Sequence, residues 1–289
     1  MANIVISGAR GFLASRLIPL LLDNNHNILC FTSEKAKYEN EKTFSLPFVK
    51  ESELKNKVAN FKPDIFLNLQ VSFYFNHNEN TSKEMVESNI FQPLRILDIL
   101  VDNGLKHLIT ATSFTEYGEF KEYHPVNLFA ATKASFKTLA KYYHFMRNVS
   151  LTDVVIYDTY GEGDKRKKIL NLFKENIITK EELQMSPGDQ IIDLSHIDDI
   201  ANGFINLIER VDIDNINICQ TLCATTGNRF ILRDLAKTFE KLSNSKLNIK
   251  WGARDHRVGE VMNPIQFDQK FNICKKRDII PKLKFFINQ

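Results

Sequence analysis

The first 32 residues contain apolar runs of two kinds. Residues 3–7 (NIVIS) form a short, β-branched run, which predicts a buried strand. Residues 15–23 carry leucine and isoleucine at helical spacing, and residues 27–32 (NILCFT) are apolar again. They predict a helix and a second strand. The chain therefore begins with a strand–turn–helix–strand unit.

Similar patterns continue along the chain. Further strands are predicted over residues 44–49, 65–69 and 106–110, and helices over residues 51–60, 82–103, 200–209 and 232–242. Strands that alternate with helices in this way indicate an α/β protein with a parallel sheet.

Beyond residue 160 the predicted segments are shorter, which indicates a second, smaller part of the protein. We expect residues 1–160, with about 190–210, to form a dinucleotide-binding domain. Residues 161–190 and 211–289 should then form a substrate lobe over the carboxyl ends of the strands, where such folds bind ligands.

The composition is that of a globular enzyme. Of the 289 residues, 43% are hydrophobic and 25% are charged, and the net charge of +3 is too small to indicate nucleic-acid binding. No apolar run reaches the length of a membrane-spanning helix. The four cysteines are scattered without zinc-ligand spacing, so we predict no metal site and reduced thiols in the cytoplasm.

The turn after the first predicted strand carries the first candidate chemistry. Gly8 permits a tight turn, Gly11 lets the backbone approach a pyrophosphate, and the small Ala14 allows close helix–strand packing. The helix behind them offers free N–H groups and the positive end of its dipole. Together these features predict a dinucleotide site. Its candidate residues are Gly8, Arg10, Gly11, Phe12, Leu13 and Leu69.

The end of the second predicted strand bears on the choice of cofactor. NAD-binding folds usually carry an acidic residue there for the ribose 2′-hydroxyl, whereas this chain has Thr32 followed by Ser33. A 2′-phosphate would tolerate both and would attract the nearby cations Arg10 and Lys35. We therefore favour NADP(H) over NAD.

Several motifs resemble one enzyme family. They are the glycine turn, Ser113 four residues before Tyr117-Gly118, Phe129 four residues before Lys133, the 158–164 segment DTYGEGD, the 188–193 segment GDQIID and the 257–260 segment RVGE. In this order and spacing they resemble the extended short-chain dehydrogenase/reductases, which include nucleotide-sugar epimerases, dehydratases and reductases. The resemblance implies a Rossmann-type doubly wound parallel sheet with a smaller mixed C-terminal substrate lobe. It is also compatible with a homodimer.

Finer features resemble one group within that family. Asn89 with Pro93, the 161–168 segment and the 252–262 segment are similar to the CDP-abequose and CDP-paratose synthases. Those enzymes reduce the 4-keto group of a CDP-sugar. The resemblance implies a role in bacterial surface polysaccharide biosynthesis, such as that of the O-antigen of lipopolysaccharide.

In the family, a Tyr exchanges a proton with the substrate oxygen, a Lys four residues later binds the nicotinamide ribose and lowers the pKa of that Tyr, and a Ser orients the oxygen. Ser113 and Lys133 match the Ser and the Lys, but Phe129 stands where the Tyr is expected. Three interpretations stay open. Phe129 is an engineered change, or it is natural and Tyr123 or a water serves as the acid, or the protein has lost its chemistry and only binds.

The reaction type follows from the neighbouring positions. Dehydratases of the family carry Asp and Glu where this chain has Phe114 and Thr115, so removal of water is not expected. Reduction needs no further titratable pair, and an NADPH-dependent 4-ketoreductase fits best. A 4-epimerase and a catalytically silent binder are the alternatives.

The resemblance also implies contacts to the nucleotide sugar. Arg257 would bind the pyrophosphate as a bidentate donor, and Lys168 would add to that site. The remaining candidates for substrate binding are Ser113, Asp158 and Gln190.

Overall fold

The computed structural model describes residues 1–32, 43–45, 51–211 and 217–288. Its centre is a sheet of seven strands, which are β1 (Asn3–Ser7), β2 (Asn27–Thr32), β3 (Thr43–Ser45), β4 (Ile65–Asn68), β5 (His107–Ser113), β6 (Ser150–Ile156) and β10 (Cys219–Ala224). They lie in the order β3-β2-β1-β4-β5-β6-β10, and every neighbouring pair is parallel. The order reverses between β1 and β4, where doubly wound sheets bind their ligands. The predicted Rossmann-type fold is confirmed.

Helices cover both faces of this sheet. They are α1 (Phe12–Asp23), α2 (Glu51–Phe61), α3 (Glu79–Val86), α4 (Gln92–Asp102), α5 (Leu128–Arg147) and α7 (Ile197–Glu209). Ile4 and Ile6 pack into a core with α1 and α7, whereas Val5 points into the opposite core with α2, α4 and α5. Alternation along β1 thus supplies both cores, as expected for a strand buried on two faces.

The remaining elements form a smaller lobe with a third core. They are β7 (Asp158–Tyr160), α6 (Ile169–Thr179), β8 (Leu183–Met185), β9 (Ile191–His196), β11 (Arg229–Ile231), α8 (Leu232–Ser243), β12 (Ile249–Trp251) and α9 (Ile280–Ile287). Strands β11, β9 and β7 form one small sheet, and β12 and β8 form another. Phe173 and Phe239 meet edge to face within this core.

The boundary between the two parts differs from our expectation. Strand β10 lies in the range expected for the lobe, yet it joins the main sheet beside β6. Strand β9 lies in the range expected for the larger domain, yet it pairs with β7 and β11. Helix α7 does return to the large sheet and packs on α1. The chain crosses between the two parts more often than its apolar pattern indicates.

The long helix predicted over residues 82–103 is interrupted. Helix α3 ends at Val86, a π-helical turn spans Glu87–Phe91, and α4 follows from Gln92. Pro93 has no N–H to bond the carbonyl one turn earlier, which favours the wider turn before it. The side chain of Asn89, in that turn, is fully buried and points into the protein.

Two further findings bear on the expectations. The described part of strand β3 covers residues 43–45, and the rest of the predicted 44–49 strand lies outside the described residues. None of the helices in the described ranges combines the length and the apolar character that a membrane-spanning helix needs.

Candidate functional site

The glycine turn approaches a neighbouring strand end closely. Gly8 has a φ of +72°, and a Cβ there would lie 2.7 Å from the Gln70 nitrogen. Gly11 donates its N–H to the Gly8 carbonyl at 2.9 Å and immediately precedes α1. Because Gly11 has no side chain to cap α1, the first N–H groups of the helix remain for an anion. The turn therefore has the uncapped backbone N–H groups that could bind a pyrophosphate.

The other candidate cofactor residues lie around this turn. Arg10 is exposed in the turn, Leu13 is half-buried in the first turn of α1, and Thr32 is buried at the end of β2. The Phe12 ring lies 4.8 Å below the guanidinium of Arg166. Ser33 and Lys35, predicted to contact a 2′-phosphate, lie outside the described residues.

The segment after β4 contacts Lys133, the lysine that the sequence predicts for the site. Leu69 is buried, and the Gln70 carbonyl accepts a hydrogen bond from Lys133 Nζ at 3.2 Å. Burial lowers the pKa of Lys133 to about 8, although the Glu116 and Asp153 carboxylates oppose that shift. Lys133 therefore presents a buried, largely protonated ammonium at the same sheet edge as the glycine turn.

Ser113 is the last residue of β5 and caps the 3₁₀ turn Phe114–Glu116. Its hydroxyl oxygen accepts the Thr115 N–H at 3.3 Å and the Thr115 hydroxyl at 2.8 Å. With its oxygen accepting these bonds, Ser113 retains its own hydroxyl proton for an outside acceptor such as a sugar oxygen. Strands β4 and β5 are parallel neighbours, so Ser113 lies at the same edge as Gln70 and its lysine.

Phe129 lies in the first turn of α5, which Asn127 caps by accepting the Ala130 N–H at 2.8 Å. Its ring meets the Phe73 ring edge to face, with centroids 5.0 Å apart. Lys133 follows one helical turn later on the same face. The geometry around residue 129 suits an aromatic ring, but this ring has no proton to donate.

Tyr123 is one candidate for the acid that Phe129 cannot supply. Its side chain is exposed, and partial burial together with the Glu116 carboxylate raises its pKa above the ordinary value. A positioned acid is most effective when its pKa lies near the working pH. The surroundings of Tyr123 thus move it away from that role.

Asn89 connects the loop after β4 to helix α5, a role that the sequence did not reveal. Its side-chain oxygen accepts the Ser72 N–H at 2.7 Å, and its amide donates to the Ser72 carbonyl at 2.9 Å and to Thr132 Oγ1 at 3.0 Å. Pro93, four residues after Asn89, is a sequence signal for the interruption of the helix. The contacts of Asn89 have no such signal, because Ser72 and Thr132 are distant from it in sequence.

The predicted substrate residues fall into three places. Lys168 and Asp158 bind each other, with Nζ and Oδ1 3.1 Å apart. The Arg257 guanidinium lies 4.7 Å above the Phe75 ring. Phe75 follows Phe73, whose ring contacts Phe129, by two residues. Gln190 is buried in the lobe, where it donates to Ser186 Oγ at 3.3 Å. The aromatic loop after β4 therefore links the position of residue 129 to that of Arg257.

One group of side chains in the described ranges could offer metal ligands. Glu162, His196 and Asp198 bring their ligand atoms within 4.8 Å of one another. Arg16 lies among them, 3.5 Å from Glu162 and 3.6 Å from Asp198. Because this guanidinium already pairs with both carboxylates, the arrangement suits an ion-pair cluster that ties α1 to α7.

A second buried charge cluster lies behind Ser113. Lys137, one turn beyond Lys133, contacts the carboxylates of Glu116 and Asp153. Glu116, Lys137 and Asp153 are not among the residues that the sequence predicts for the site. The i+4 spacing of the two lysines on α5 was the available signal, because it places them on one helix face.

A comparison of sequences identifies the family. Residues 4–219 match the profile of the NAD dependent epimerase/dehydratase family. The chain is 26% identical to a CDP-abequose synthase of Yersinia pseudotuberculosis, across 99% of this chain and 98% of that protein.

Two solved structures are similar in fold. One is MoeE5 in complex with UDP-glucuronic acid and NAD, with a TM-score of 0.84 and 16% identity over 99% of this chain and 97% of that one. The other is a tyrosine-to-phenylalanine variant of a UDP-glucuronic acid 4-epimerase from Bacillus cereus, in complex with a fluorinated sugar nucleotide and NAD. Its TM-score is 0.82, at 16% identity over 99% of this chain and 98% of that one. With its glycine turn, Ser113 and Lys133 arranged as described, the chain belongs to the NAD dependent epimerase/dehydratase family of nucleotide-sugar enzymes.

Proposed function

We propose that this protein reduces the 4-keto group of a nucleotide-linked deoxyhexulose with NADPH. The observation that carries the proposal is the placement of Ser113 and Lys133 at the sheet edge beside the glycine turn. Phe114 stacks on Tyr157 where family dehydratases carry an acid, and Thr115 bonds Ser113 where they carry a glutamate. Positions 114 and 115 thus offer no acid–base pair for dehydration, which supports reduction as the reaction.

The CDP-linked substrate and the biosynthetic role rest on relatives. A CDP-abequose synthase matches the chain nearly end to end. We extend that likeness to a CDP-linked deoxyhexulose that is used for a bacterial O-antigen. The free cysteines Cys30, Cys219, Cys223 and Cys274 are consistent with the cytoplasm as the proposed compartment.

The chain's own residues have separate tasks in this reduction. When bound, NADPH supplies the hydride that reduces the carbonyl carbon. The Lys133 ammonium has donors beyond its bond to Gln70 and would hold ribose hydroxyls. The Ser113 hydroxyl would donate a hydrogen bond to the sugar oxygen as negative charge develops there. Because Phe129 has no phenolic proton, the proton that this oxygen takes up as the carbon receives the hydride would come from a water molecule.

A 4-epimerase is the alternative enzyme, since similar solved structures are of epimerases and contain NAD. Such an enzyme returns the hydride to its substrate and would retain its cofactor tightly. Thr32, in place of an acidic residue after β2, speaks for NADP and against this alternative.

We also propose that a second copy of the chain covers the outer face of α5. Leu139, Tyr142 and Met146 are spaced to share one helix face, and each is exposed. Val86 and Phe91, on the helical segment that packs beside α5, are exposed as well. Large exposed apolar patches often mark protein–protein interfaces, which supports the proposal.

The dimer proposal predicts a mass of two chains by sedimentation equilibrium at micromolar concentration. Tyr142→Glu places a charge on the proposed interface and should shift the protein toward one chain, while Phe120→Glu, an exposed change elsewhere, should not. A single-chain mass for the unaltered protein would contradict the proposal.

Arg10→Ala should weaken NADP binding by about 1–3 kcal/mol and leave NAD binding nearly unchanged, because only NADP carries the phosphate that the guanidinium would bind. Isothermal titration with both nucleotides measures this. If the unaltered protein bound NAD more tightly than NADP, the cofactor assignment would be wrong.

Arg257→Ala should raise the Kd of the sugar nucleotide by about 10- to 100-fold, as expected for the loss of a charge-assisted contact to the pyrophosphate. Arg254→Ala removes an exposed arginine from the same loop and serves as the control. Titration of each variant with CDP-sugar and, separately, with NADPH measures the effect. A loss of NADPH affinity in Arg257→Ala would show that Arg257 lies at the cofactor instead.

Phe129→Tyr should raise the rate of 4-keto reduction by about 10²–10⁴-fold, because a positioned phenol supplies the missing proton and the Lys133 charge lowers its pKa. Phe285→Tyr adds the same hydroxyl at an exposed position of α9, in the smaller lobe, and should change nothing. The measurement is steady-state oxidation of NADPH with a CDP-4-keto-6-deoxyhexose.

The outcome also separates the three interpretations of Phe129. High activity with Phe129 and little gain from Tyr would point to another acid or a water. Tight binding of both ligands without turnover by either variant would favour a silent binder and overturn the enzyme assignment.

A further inference from the structure

Lys137 joins three elements behind the candidate active site. Its ammonium donates to Glu116 Oε2 at 2.8 Å, to Asp153 Oδ2 at 3.1 Å and to the Tyr117 hydroxyl at 3.2 Å. Lys137 lies on α5, Asp153 on β6, and Glu116 ends the 3₁₀ turn after β5. The side chains of Glu116 and Asp153 are 0% and 2% exposed, so these bonds form away from water.

The cluster contains one more negative than positive group. Asp153 has further donors, since Thr112 Oγ1 lies 2.6 Å and Thr221 Oγ1 3.4 Å from its oxygens. Glu116 Oε1 is buried and has no hydrogen-bond partner in the described part of the chain. A buried carboxylate oxygen without a donor is costly when ionised, so Glu116 is the group on which a proton relieves the excess charge.

The surrounding charges support this assignment. Burial raises the pKa of Glu116 to about 7, and Asp153 adds to the shift, whereas Lys137 and Lys133 oppose it. Burial lowers the pKa of Lys137, but the two carboxylates outweigh this and hold it above the ordinary lysine value. Tyr117 beside Glu116 and Tyr123 on the following loop are the other titratable groups that respond to its charge.

The same contacts reach the serine of the site. Ser113 caps the turn that Glu116 ends, and Lys137 follows Lys133 by one helical turn. We propose that Glu116 and Lys137 are positioning residues: their bond holds the Ser113 turn against the helix that carries Phe129 and Lys133, and one proton on Glu116 weakens that hold. The consequence for catalysis rests on the proposed reductase function, but the coupling of Glu116 to Ser113 does not.

The two ionisation states should act in opposite directions on stability and on the site. Ionised Glu116 makes the stronger, charge-assisted bond to Lys137, so Ser113 is held best above pH 7. The folded state, however, binds the Glu116 proton more tightly than the unfolded chain does. The stability that the folded state gains from this proton is therefore fully present below the ordinary carboxyl pKa. It is lost as the pH rises through the folded-state pKa of about 7.

A titration followed by NMR tests the coupling without any turnover. The amide signals of Ser113 and Thr115 should shift with a midpoint near pH 7 in the unaltered protein, and this transition should vanish in Glu116→Gln. Glu122→Gln, an exposed change in the loop that follows, is the matched control and should retain it. The absence of the transition in the unaltered protein, or its persistence in Glu116→Gln, would overturn the proposal.

Kinetics in the Phe129→Tyr background test the consequence. Lys137→Met should lower kcat on the order of 10²-fold, the effect of a small misplacement of a catalytic group, with little change in the Kd of NADPH. If Lys137→Met does not fold, Lys137→Arg keeps the charge, changes the bond geometry and should still lower kcat. The rise of kcat with pH near 7 should disappear in Glu116→Gln. An unchanged pH profile in Glu116→Gln would contradict the inference, whereas no turnover in any variant, with the NMR transition present, would count against the reductase function alone.

Discussion

The candidate site depends on the backbone of Leu69 and Gln70, which two other parts of the chain contact. Gly8 packs against this backbone so closely that a Cβ would lie 2.7 Å from the Gln70 nitrogen. The buried Lys133 ammonium donates a hydrogen bond to the carbonyl of the same residue, Gln70. The glycine turn and helix α5 are thus both fixed to Gln70, two residues after the end of β4. A side chain at position 8 would separate the two halves of the site.

Much of the fold could be predicted because its signals are local. Three runs near the N-terminus each indicate a strand or a helix from residues that lie within about ten positions of one another. They are the β-branched run before Gly8, the helical leucines after it and the second apolar run. The position of β10 could not be predicted in this way, since its burial pattern is set by pairing with β6, some 70 residues earlier. The π-helical turn was missed for a related reason. Asn89 is buried because Ser72 and Thr132 satisfy its side chain, and neither is near it in sequence.

The same division applies to the candidate site. Ser113 and Lys133 were found because the family places them at fixed spacing, and the structure puts both at the carboxyl edge of the sheet. Glu116 and Lys137 were missed because a charged residue in a single sequence is most simply assigned to the surface. Their burial is tolerated because the Lys137 ammonium pairs with both the Glu116 and the Asp153 carboxylates, which three separate elements bring together. The spacing of Lys137 from Lys133 places the two lysines on one helix face, but it does not reveal the partners of Lys137.

The charges around Lys133 help to show which function is lost because residue 129 has no hydroxyl group. Burial would favour a neutral lysine, yet the Glu116 and Asp153 carboxylates act in the other direction, and its pKa stays at about 8. Lys133 therefore remains largely charged near neutral pH, and one of its donors is used by the Gln70 carbonyl. The remaining donors can hold a polar ligand whether or not a phenol stands at position 129. Proton transfer differs, because it requires an acidic hydrogen at the reacting oxygen, and an aromatic ring packed on Phe73 offers none. Ligand binding and proton donation can therefore be separated at this site. Binding depends on the donors of Lys133, whereas proton donation requires a hydroxyl group on the ring of residue 129.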